Sequence, residues 1–257
     1  MSSSFSLAAR LRAGETIFIA WCAIPSPVVA ETCAREGFRA VVLDQQHGLY
    51  DMATTTAAIG AVHLAGAAPV VRVPVADFAV ASRVLDLGAE GVIAPMINTE
   101  ADARAFVKAV KYPPLGERSW GPVRAAPLSG LEQKDYLRSA NDLTVSFAMV
   151  ETRLALTNLD AIIATPGIDA IFVGPSDLSL ALSNGAELDP LSKEVEAALD
   201  RIVAATTAAG KIPAVYCANA ERARALAARG FRFLAVGSDS SFLRAGAGAA
   251  LKTLAGA

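Results

Sequence analysis

Polar and charged side chains lie within or directly after apolar runs at five places in this chain. In chain order the positions are Asp44 with His47, Arg72, Glu151, the segment Gly174-Pro175-Ser176-Asp177 and the segment Gly237-Ser238-Asp239. Carboxylates, an imidazole and a guanidinium are the groups that acid–base, metal and anion chemistry require. Their joint occurrence at the ends of apolar runs favours one catalytic site over five unrelated structural roles.

Glu151 and Asp177 form the candidate metal pair. Glu151 follows the apolar run Phe147-Ala148-Met149-Val150, where an unpaired ionised carboxylate would be costly. Either a cation compensates that charge or the pKa of the carboxyl group rises. Two hard oxygen ligands suit Mg2+, Mn2+ or a similar ion that keeps open positions for water or substrate. The pair therefore predicts a catalytic rather than a structural metal site.

Other interpretations of these residues stay open at this point. An Asp at the end of a strand is often the N-cap of the next helix, which applies to Asp44 and more strongly to Asp239. Arg72 could be a surface or ion-paired residue, although its neighbours Val71 and Val73 disfavour exposure. His63 lies in an Ala/Ile/Leu-rich helical run away from any strand end, which favours a structural role.

Eight short apolar runs are the candidate strands that position these groups. They lie at about 16–22, 39–44, 69–73, 91–95, 144–150, 169–173, 212–216 and 232–236. Helical patterns lie between them, including Thr54–Gly66, Asp77–Leu87, Thr99–Val110, Thr152–Ala164, Pro190–Ala209 and Asn219–Arg229. Strands that alternate with helices predict a parallel sheet. Eight units in one chain favour a closed (β/α)8 barrel, in which the chemistry lies at the carboxyl ends of the strands.

An open nucleotide-binding sheet is the alternative architecture. It would carry a Gly-rich turn after its first strand, whereas residues 22–27 read Cys-Ala-Ile-Pro-Ser-Pro. Residues 1–257 are therefore predicted to form one barrel domain. The stretch 111–143 shows no clear period and is too long for a plain connection, which predicts a functional loop. The Gly/Ala-rich end, residues 245–257, is either a small-residue helix or a frayed tail.

Composition excludes several classes of protein. The chain has 257 residues, 53% of them hydrophobic, and a formal net charge of −2 with no basic stripe, so a nucleic-acid surface is not expected. Three irregularly spaced cysteines argue against a disulfide framework. No apolar run approaches the roughly 20 residues that span a bilayer, so no membrane partner is expected. Since the N-terminal residues also lack a signal-like pattern, we expect a cytoplasmic protein.

The motifs together resemble those of the HpcH/HpaI family of class II pyruvate aldolases. The segments that carry the resemblance are Val42–Gly48 (VLDQQHG), Pro69–Arg72 (PVVR), Ala94–Met96 (APM), Tyr112–Arg118 (YPPLGER), Val150–Thr152 (VET) and Val173–Leu178 (VGPSDL). They cover nearly the whole chain in the family's order. The resemblance is specific for the family and much less so for the substrate.

The resemblance implies cleavage and formation of 4-hydroxy-2-oxo acids through a pyruvate-type enolate, with pyruvate or hydroxypyruvate as donor and an aldehyde as partner. Glu151 and Asp177 would hold the metal, as Mg2+, Mn2+ or Co2+. His47 would be the general base with Asp44 close by, and Arg72 would stabilise the enolate oxygen.

The remaining implied substrate contacts lie elsewhere on the barrel. Backbone amides at Gly174, Pro175 and Ser176 would surround the pyruvyl carboxylate at the start of a helix. Trp21, in the first strand, is a further substrate-binding candidate. Two departures from the family pattern bear on substrate choice: Gln45-Gln46 stand where members often have Gly-Glu, and Ser119-Trp120 follow Arg118 where many have a glycine.

Asp86 is a candidate for a site shared between subunits. It ends a helix on the amino-terminal side of the fourth strand, about the length of a strand from its own catalytic rim. The segment Leu85–Ala89 resembles one that, in the family, supplies an acidic partner to the histidine of a neighbouring subunit. The other interpretation is a helix-end residue or an interface ion pair. The family resemblance also implies a homo-oligomer, a hexamer, with the last helix packing on a neighbour.

Three rival functions remain. A Schiff-base aldolase needs a lysine at a strand end, and none of the six lysines occupies one. A citramalyl- or malyl-CoA lyase of the same superfamily would need room and charge for a nucleotide. A barrel that has lost catalysis would serve as an assembly subunit, against which stands the intact set Glu151, Asp177, Arg72 and His47.

Overall fold

The computed structural model describes residues 4–256 and forms a closed barrel of eight parallel strands paired in chain order. The strands are β1 Ile17–Cys22, β2 Ala40–Asp44, β3 Ala68–Arg72, β4 Gly91–Ala94, β5 Val145–Val150, β6 Ala170–Val173, β7 Ile212–Cys217 and β8 Phe233–Val236. Each is almost entirely buried because helices cover the outside and side chains fill the inside. The predicted strands agree with these bounds to within one residue at either end.

The helices lie between the strands and before the first one. They are α1 Leu7–Arg12, α2 Pro27–Arg35, α3 Met52–Leu64, α4 Phe78–Asp86, α5 Glu100–Val110, α6 Ala125–Ser129, α7 Gln133–Leu143, α8 Arg153–Thr157, α9 Leu159–Ala164, α10 Pro175–Leu182, α11 Lys193–Ala208, α12 Ala220–Ala228 and α13 Asp239–Leu254. Polar N-caps start several of them. Ser26, Asp51, Asp77, Thr99, Thr152, Ser192, Asn219 and Ser238 each accept a hydrogen bond from a backbone N–H of the first turn.

Two predictions need correction, and one alternative that the sequence left open is decided. The single helix predicted at Thr152–Ala164 is two helices, α8 and α9, which meet at Asn158. The stretch 111–143 contains α6 and α7, which the sequence concealed because prolines and glycines interrupt the first part and α7 buries only Tyr136 and Ala140. The Gly/Ala-rich end is helical through Leu254.

The barrel interior is one apolar cluster that α1 closes at the amino-terminal end of the strands. Leu7, Ala8 and Leu11 of α1 pack with the inward side chains of the strands. A second, larger cluster lies between the strands and the surrounding helices. The polar strand ends are thus left at the opposite, open end of the barrel.

The domain was predicted to span residues 1–257, of which residues 1–3 and 257 lie outside the described residues. The prediction made from the N-terminal sequence falls partly on residues 1–3. Cys22, Cys33 and Cys217 are buried free thiols. Within residues 4–256, no helix combines the length and the apolar character needed to cross a membrane.

Candidate active site

The alternation of side chains along each strand explains why the polar residues converge. Residues such as Ala40 and Val42 of β2, or Ala68 and Val70 of β3, point into the barrel. Because the side-chain period is two, the next inward positions are Asp44, Arg72, Trp21 and Tyr216 on their strands and Glu151 and Gly174 directly after theirs. These six positions form the top layer of the barrel interior.

Arg72 is locked to Asp44 by two hydrogen bonds across the β2–β3 pairing. The Arg72 Nε donates to Asp44 Oδ1 at 2.8 Å and its Nη2 donates to Oδ2 at 2.5 Å. The residues are register partners, and both side chains are more than nine-tenths buried. Burial alone would raise the pKa of Asp44, but the hydrogen bond and charge of Arg72 outweigh it, and the pKa is lowered.

Trp21 completes this pair from β1. Its indole Nε1 donates to Asp44 Oδ2 at 3.1 Å, and the Arg72 guanidinium lies 4.8 Å from the centre of the indole ring. A guanidinium has five N–H donors, of which Asp44 occupies two. Arg72 therefore presents fixed positive charge to the barrel mouth with donors left for a ligand.

Asp44 also organises the chain that leads to His47. Its Oδ1 accepts the backbone N–H groups of Gln46 at 3.0 Å and His47 at 3.3 Å. The N-cap interpretation of Asp44 is wrong, since Asp51 caps α3. His47 itself is exposed, and Asp44 contacts its backbone rather than its imidazole. The carboxylate thus holds the turn that carries the histidine to the cleft.

Glu151 is buried with one oxygen unpaired. Its Oε1 accepts the backbone N–H of Met96 at 3.0 Å, while Oε2 has no partner among the described residues. Burial raises the pKa of Glu151 to about 7, with a further contribution from the negative charge of Asp177. A buried oxygen without a partner is a place where a cation would fit.

Gly174 leaves the space that this oxygen occupies. A Cβ at that position would lie 2.3 Å from Glu151 Oε2, so any side chain there would displace the carboxylate. Asp177, in the first turn of α10, is exposed and lies on the same cleft. Within residues 4–256 no group of three or more acidic, histidine or cysteine side chains could hold an ion. Glu151 and Asp177 as the pair that holds a metal ion stay a prediction.

These residues line one cleft of about 210 Å3 at the mouth of the barrel. Its walls are Trp21, His47, Arg72, Met149, Gly174, Pro175, Ser176, Asp177 and Tyr216. The backbone N–H groups at the start of α10 face an anion favourably because they lack partners within the helix. The cleft thus combines a guanidinium, the Asp177 carboxylate, an imidazole and a helix N-terminus, with the Glu151 carboxylate buried against Gly174 of its wall.

Two lining residues, Met149 and Tyr216, were absent from the sequence prediction. The alternation along Ile212, Ala214 and Tyr216 in β7 would have placed the tyrosine in the barrel interior. A tyrosine or methionine in an apolar strand is more typical of the hydrophobic core, however. Residue type alone therefore did not indicate that Tyr216 and Met149 line the cleft.

Asp86 and Asp239 do not line the cleft. The Arg118 Nη2 donates to Asp86 Oδ1 at 2.5 Å, and the Arg118 side chain is 1% exposed. Asp239 is not an N-cap, which corrects the interpretation made from the sequence, since Ser238 caps α13. Instead Asp239 Oδ2 accepts the backbone N–H groups of Ala23 and Ile24 and ties down the chain after β1.

Comparison with known proteins defines the class. A hydroxypyruvate/pyruvate aldolase of Rhizorhabdus wittichii is 38% identical over 234 residues, which are 91% of this chain and 92% of the relative. A 4-hydroxy-2-oxo-heptane-1,7-dioate aldolase of Klebsiella pneumoniae is 33% identical over 237 residues, 92% of this chain and 89% of the relative. Fold, strand-end site and relatives define a (β/α)8 carbon–carbon lyase of the aldolase type.

The family follows from two further matches. The model of the HpcH/HpaI aldolase/citrate lyase family matches residues 18–245. A crystal structure of a family protein from Burkholderia cenocepacia has a TM-score of 0.88 at 31% identity, covering 97% of this chain and 99% of that one. The chain belongs to the HpcH/HpaI aldolase/citrate lyase family.

Proposed function

We propose that this protein cleaves and forms 4-hydroxy-2-oxo acids, with pyruvate or hydroxypyruvate and an aldehyde as the small-molecule partners. The observation that carries the proposal is one small cleft lined by the Asp44-locked Arg72 and by Gly174, against which the unpaired Glu151 oxygen lies. Relatives named for hydroxypyruvate, pyruvate and 4-hydroxy-2-oxo acids support the substrate class.

Glu151 and Asp177 are the residues that would hold a divalent ion, Mg2+, Mn2+ or Co2+. The fit rests on the buried Glu151 Oε2, which lacks a partner, and on the space that Gly174 leaves around it. Such an ion, when bound, supplies Lewis-acid polarisation of the substrate oxygens.

The chain's own residues then have distinct tasks. The backbone N–H groups of Gly174 and Ser176, on either side of Pro175, which has no N–H, bind the substrate carboxylate at the start of α10. Arg72 donates hydrogen bonds to the keto oxygen and stabilises the negative charge that develops there. Asp44 and Trp21 keep the guanidinium in place.

His47 is the proton-transfer group of this proposal. It stands at the exposed rim of the cleft, where the reacting hydroxyl of a 4-hydroxy-2-oxo acid can reach it. Imidazole is the side chain best suited to exchanging protons near neutral pH. His47 accepts the proton of the C4 hydroxyl during cleavage and returns it during synthesis.

We also propose a homo-oligomer, a hexamer, whose last helix packs on a neighbour. Among the 16 residues of α13 only Asp239 is buried. Leu243, Leu251 and Leu254 are each at least 66% exposed. A helix with this many exposed leucines is typical of an interface rather than of a free surface. The cytoplasmic location expected from the sequence stays a prediction.

The test is a screen of donors against aldehydes with chelated and metal-restored enzyme. We expect pyruvate release from 4-hydroxy-2-oxo acids that chelation abolishes and Mg2+, Mn2+ or Co2+ restores. Full activity in a metal-free preparation would contradict the metal. Turnover confined to citramalyl- or malyl-CoA would favour the thioester lyase, and no turnover across the panel would favour the assembly role.

No lysine lines the cleft within residues 4–256, so borohydride with substrate should not inactivate the enzyme.

A further inference from the structure

Tyr216 is the one phenol in the cleft, and the proposed function assigns it no task. It occupies the inward position that follows Ile212 and Ala214 on β7, one residue before the strand ends. Its ring meets that of Trp21 edge to face, with centroids 5.5 Å apart and planes at 88°. The position of the ring is therefore set by the strand and by the indole.

The Tyr216 hydroxyl forms no hydrogen bond with any of residues 4–256. Tyr216 is nevertheless half-buried and lines the cleft. Burial raises the pKa of Tyr216, and the charges of Arg72 and Asp44 also act on it. The hydroxyl thus lies within electrostatic reach of the ion pair and is protonated at neutral pH, so it can donate.

The closed order of the strands determines which wall meets carbon 3 of a bound 2-oxo acid. Carbon 2 is planar, so its three substituents point in three directions. The carboxylate lies at the start of α10, after β6, and the keto oxygen points to Arg72 on β3. Carbon 3 is left to face β7, β8 and β1. The inward residue of β8 beside Tyr216 is Ala235, which leaves Tyr216 and Trp21 as the side chains of that wall.

Only one of these two side chains has a free donor. The Trp21 N–H is taken by Asp44, and the remaining apolar lining residues, Met149 and Pro175, cannot donate. The other hydroxyl of the cleft, on Ser176, lies on the carboxylate side. We infer that the Tyr216 hydroxyl hydrogen-bonds a C3 hydroxyl of the donor, so that the enzyme prefers hydroxypyruvate over pyruvate. This inference rests on the proposed aldolase function and names its donor.

The test compares Tyr216→Phe with the parent enzyme, both loaded with the same divalent ion. The measured quantity is the ratio of kcat/KM for hydroxypyruvate to kcat/KM for pyruvate with one common aldehyde. Phenylalanine keeps the edge-to-face contact with Trp21 and removes only the hydroxyl. We expect the ratio to fall about 3- to 10-fold, the worth of one neutral hydrogen bond. Tyr136→Phe, which removes a phenol hydroxyl in α7 outside the cleft, should leave the ratio unchanged.

A binding measurement supplies a second readout. Calorimetric titration with D,L-glycerate and D,L-lactate, which differ by the C3 hydroxyl, should show the same loss of preference in Tyr216→Phe. A ratio within twofold of the parent value in both measurements overturns the inference. If the parent enzyme turns over neither donor, the proposed function is wrong. The role of Tyr216 in distinguishing glycerate from lactate is then tested by calorimetry alone.

Discussion

At the scale of single residues, the site depends on a buried ion pair between Asp44 and Arg72. Removing two charges from water costs free energy that their attraction offsets only with good geometry. The two parallel hydrogen bonds and the Trp21 N–H provide that geometry. The arrangement holds the guanidinium still before a substrate arrives, so no reorganisation is needed when charge develops on the keto oxygen.

The first prediction concerns Arg72→Lys. An ammonium group cannot reproduce two parallel bonds to Asp44 while it also faces the substrate. We expect kcat to fall about 100- to 1000-fold, as for the loss of a charge-stabilising donor. Arg104→Lys, in an exposed i,i+4 pair with Glu100, is the matched control and should leave kcat unchanged. Steady-state kinetics of both variants measure this, and a kcat within threefold of the parent for Arg72→Lys would contradict the role.

The second prediction concerns Glu151→Gln. The amide keeps the shape of the side chain but loses the charge that faces the ion, so we expect the dissociation constant for Mn2+ to rise at least about 10-fold. Without metal, the variant should be at least as stable as the parent at pH 8. The reason is that the parent buries the Glu151 carboxylate without a full set of hydrogen-bond partners. Isothermal titration and thermal unfolding measure the two effects. Unchanged Mn2+ affinity would remove Glu151 from the metal site.

At the scale of elements, Glu90 links α1 to the amino-terminal end of the barrel. Its Oε2 accepts the backbone N–H groups of Ser6 and Leu7, both at 2.9 Å, where Ser6 provides no side-chain cap of its own. Burial raises the pKa of Glu90 to about 7, although these two hydrogen bonds act in the opposite direction. A group that closes the barrel thus changes charge near neutral pH.

The third prediction is the pH dependence that follows. A folded-state pKa of about 7, above the ordinary 4.5, means that folding favours the protonated form. This contribution to stability is complete below pH 4.5 and is lost as pH rises through 7. Glu90→Gln keeps an acceptor without a charge, so it should gain stability relative to the parent between pH 5 and pH 8, by at most about 3 kcal/mol.

Urea unfolding of the parent and of Glu90→Gln at both pH values measures the difference. Glu132→Gln, at an exposed position, serves as the control and should show the same stability difference from the parent at pH 5 and pH 8. If the stability difference between Glu90→Gln and the parent is the same at pH 5 and pH 8, Glu90 does not titrate in this range.

At the scale of the whole molecule, His47 and Asp86 lie apart in one chain and could meet only between two chains. His47 has no carboxylate against its imidazole among the described residues. Asp86 lies outside the cleft of its own chain, and only its Oδ1 is engaged by Arg118. A neighbouring chain that brings Asp86 to His47 would resolve both observations, and the exposed leucines of α13 provide a surface for such a neighbour.

The fourth prediction tests this shared site by complementation. His47→Ala should lower kcat by about 100- to 10,000-fold, and Asp86→Asn about 10-fold or more. Chains dissociated and reassembled together should regain activity, since about a quarter of the sites would then combine one intact Asp86 with one intact His47. Native mass spectrometry verifies the mixing. Mixed oligomers without a gain would assign Asp86 to its ion pair with Arg118 alone.

The amino-acid sequence by itself determined the barrel and most of its active end. Short apolar runs alternating with helical ones specify strands buried on both faces, and a period of two fixes which strand-end residues point inward. Asp44, Arg72, Glu151 and Asp177 were predicted from polar residues in or after those runs, because such barrels carry their chemistry at the carboxyl ends of the strands. The period of two could also have predicted Tyr216, but a tyrosine in an apolar strand resembles core.

Only the tertiary structure decided which of these groups meet. The pairing of Asp44 with Arg72 depends on the register of two strands 28 residues apart along the chain. The unpaired oxygen of Glu151 depends on the space left by Gly174, which follows the next strand, β6. Helices α6 and α7 escaped prediction because packing with Phe5, Tyr112 and Tyr136 stabilises them. Such contacts join residues that are distant in sequence, so no local pattern records them.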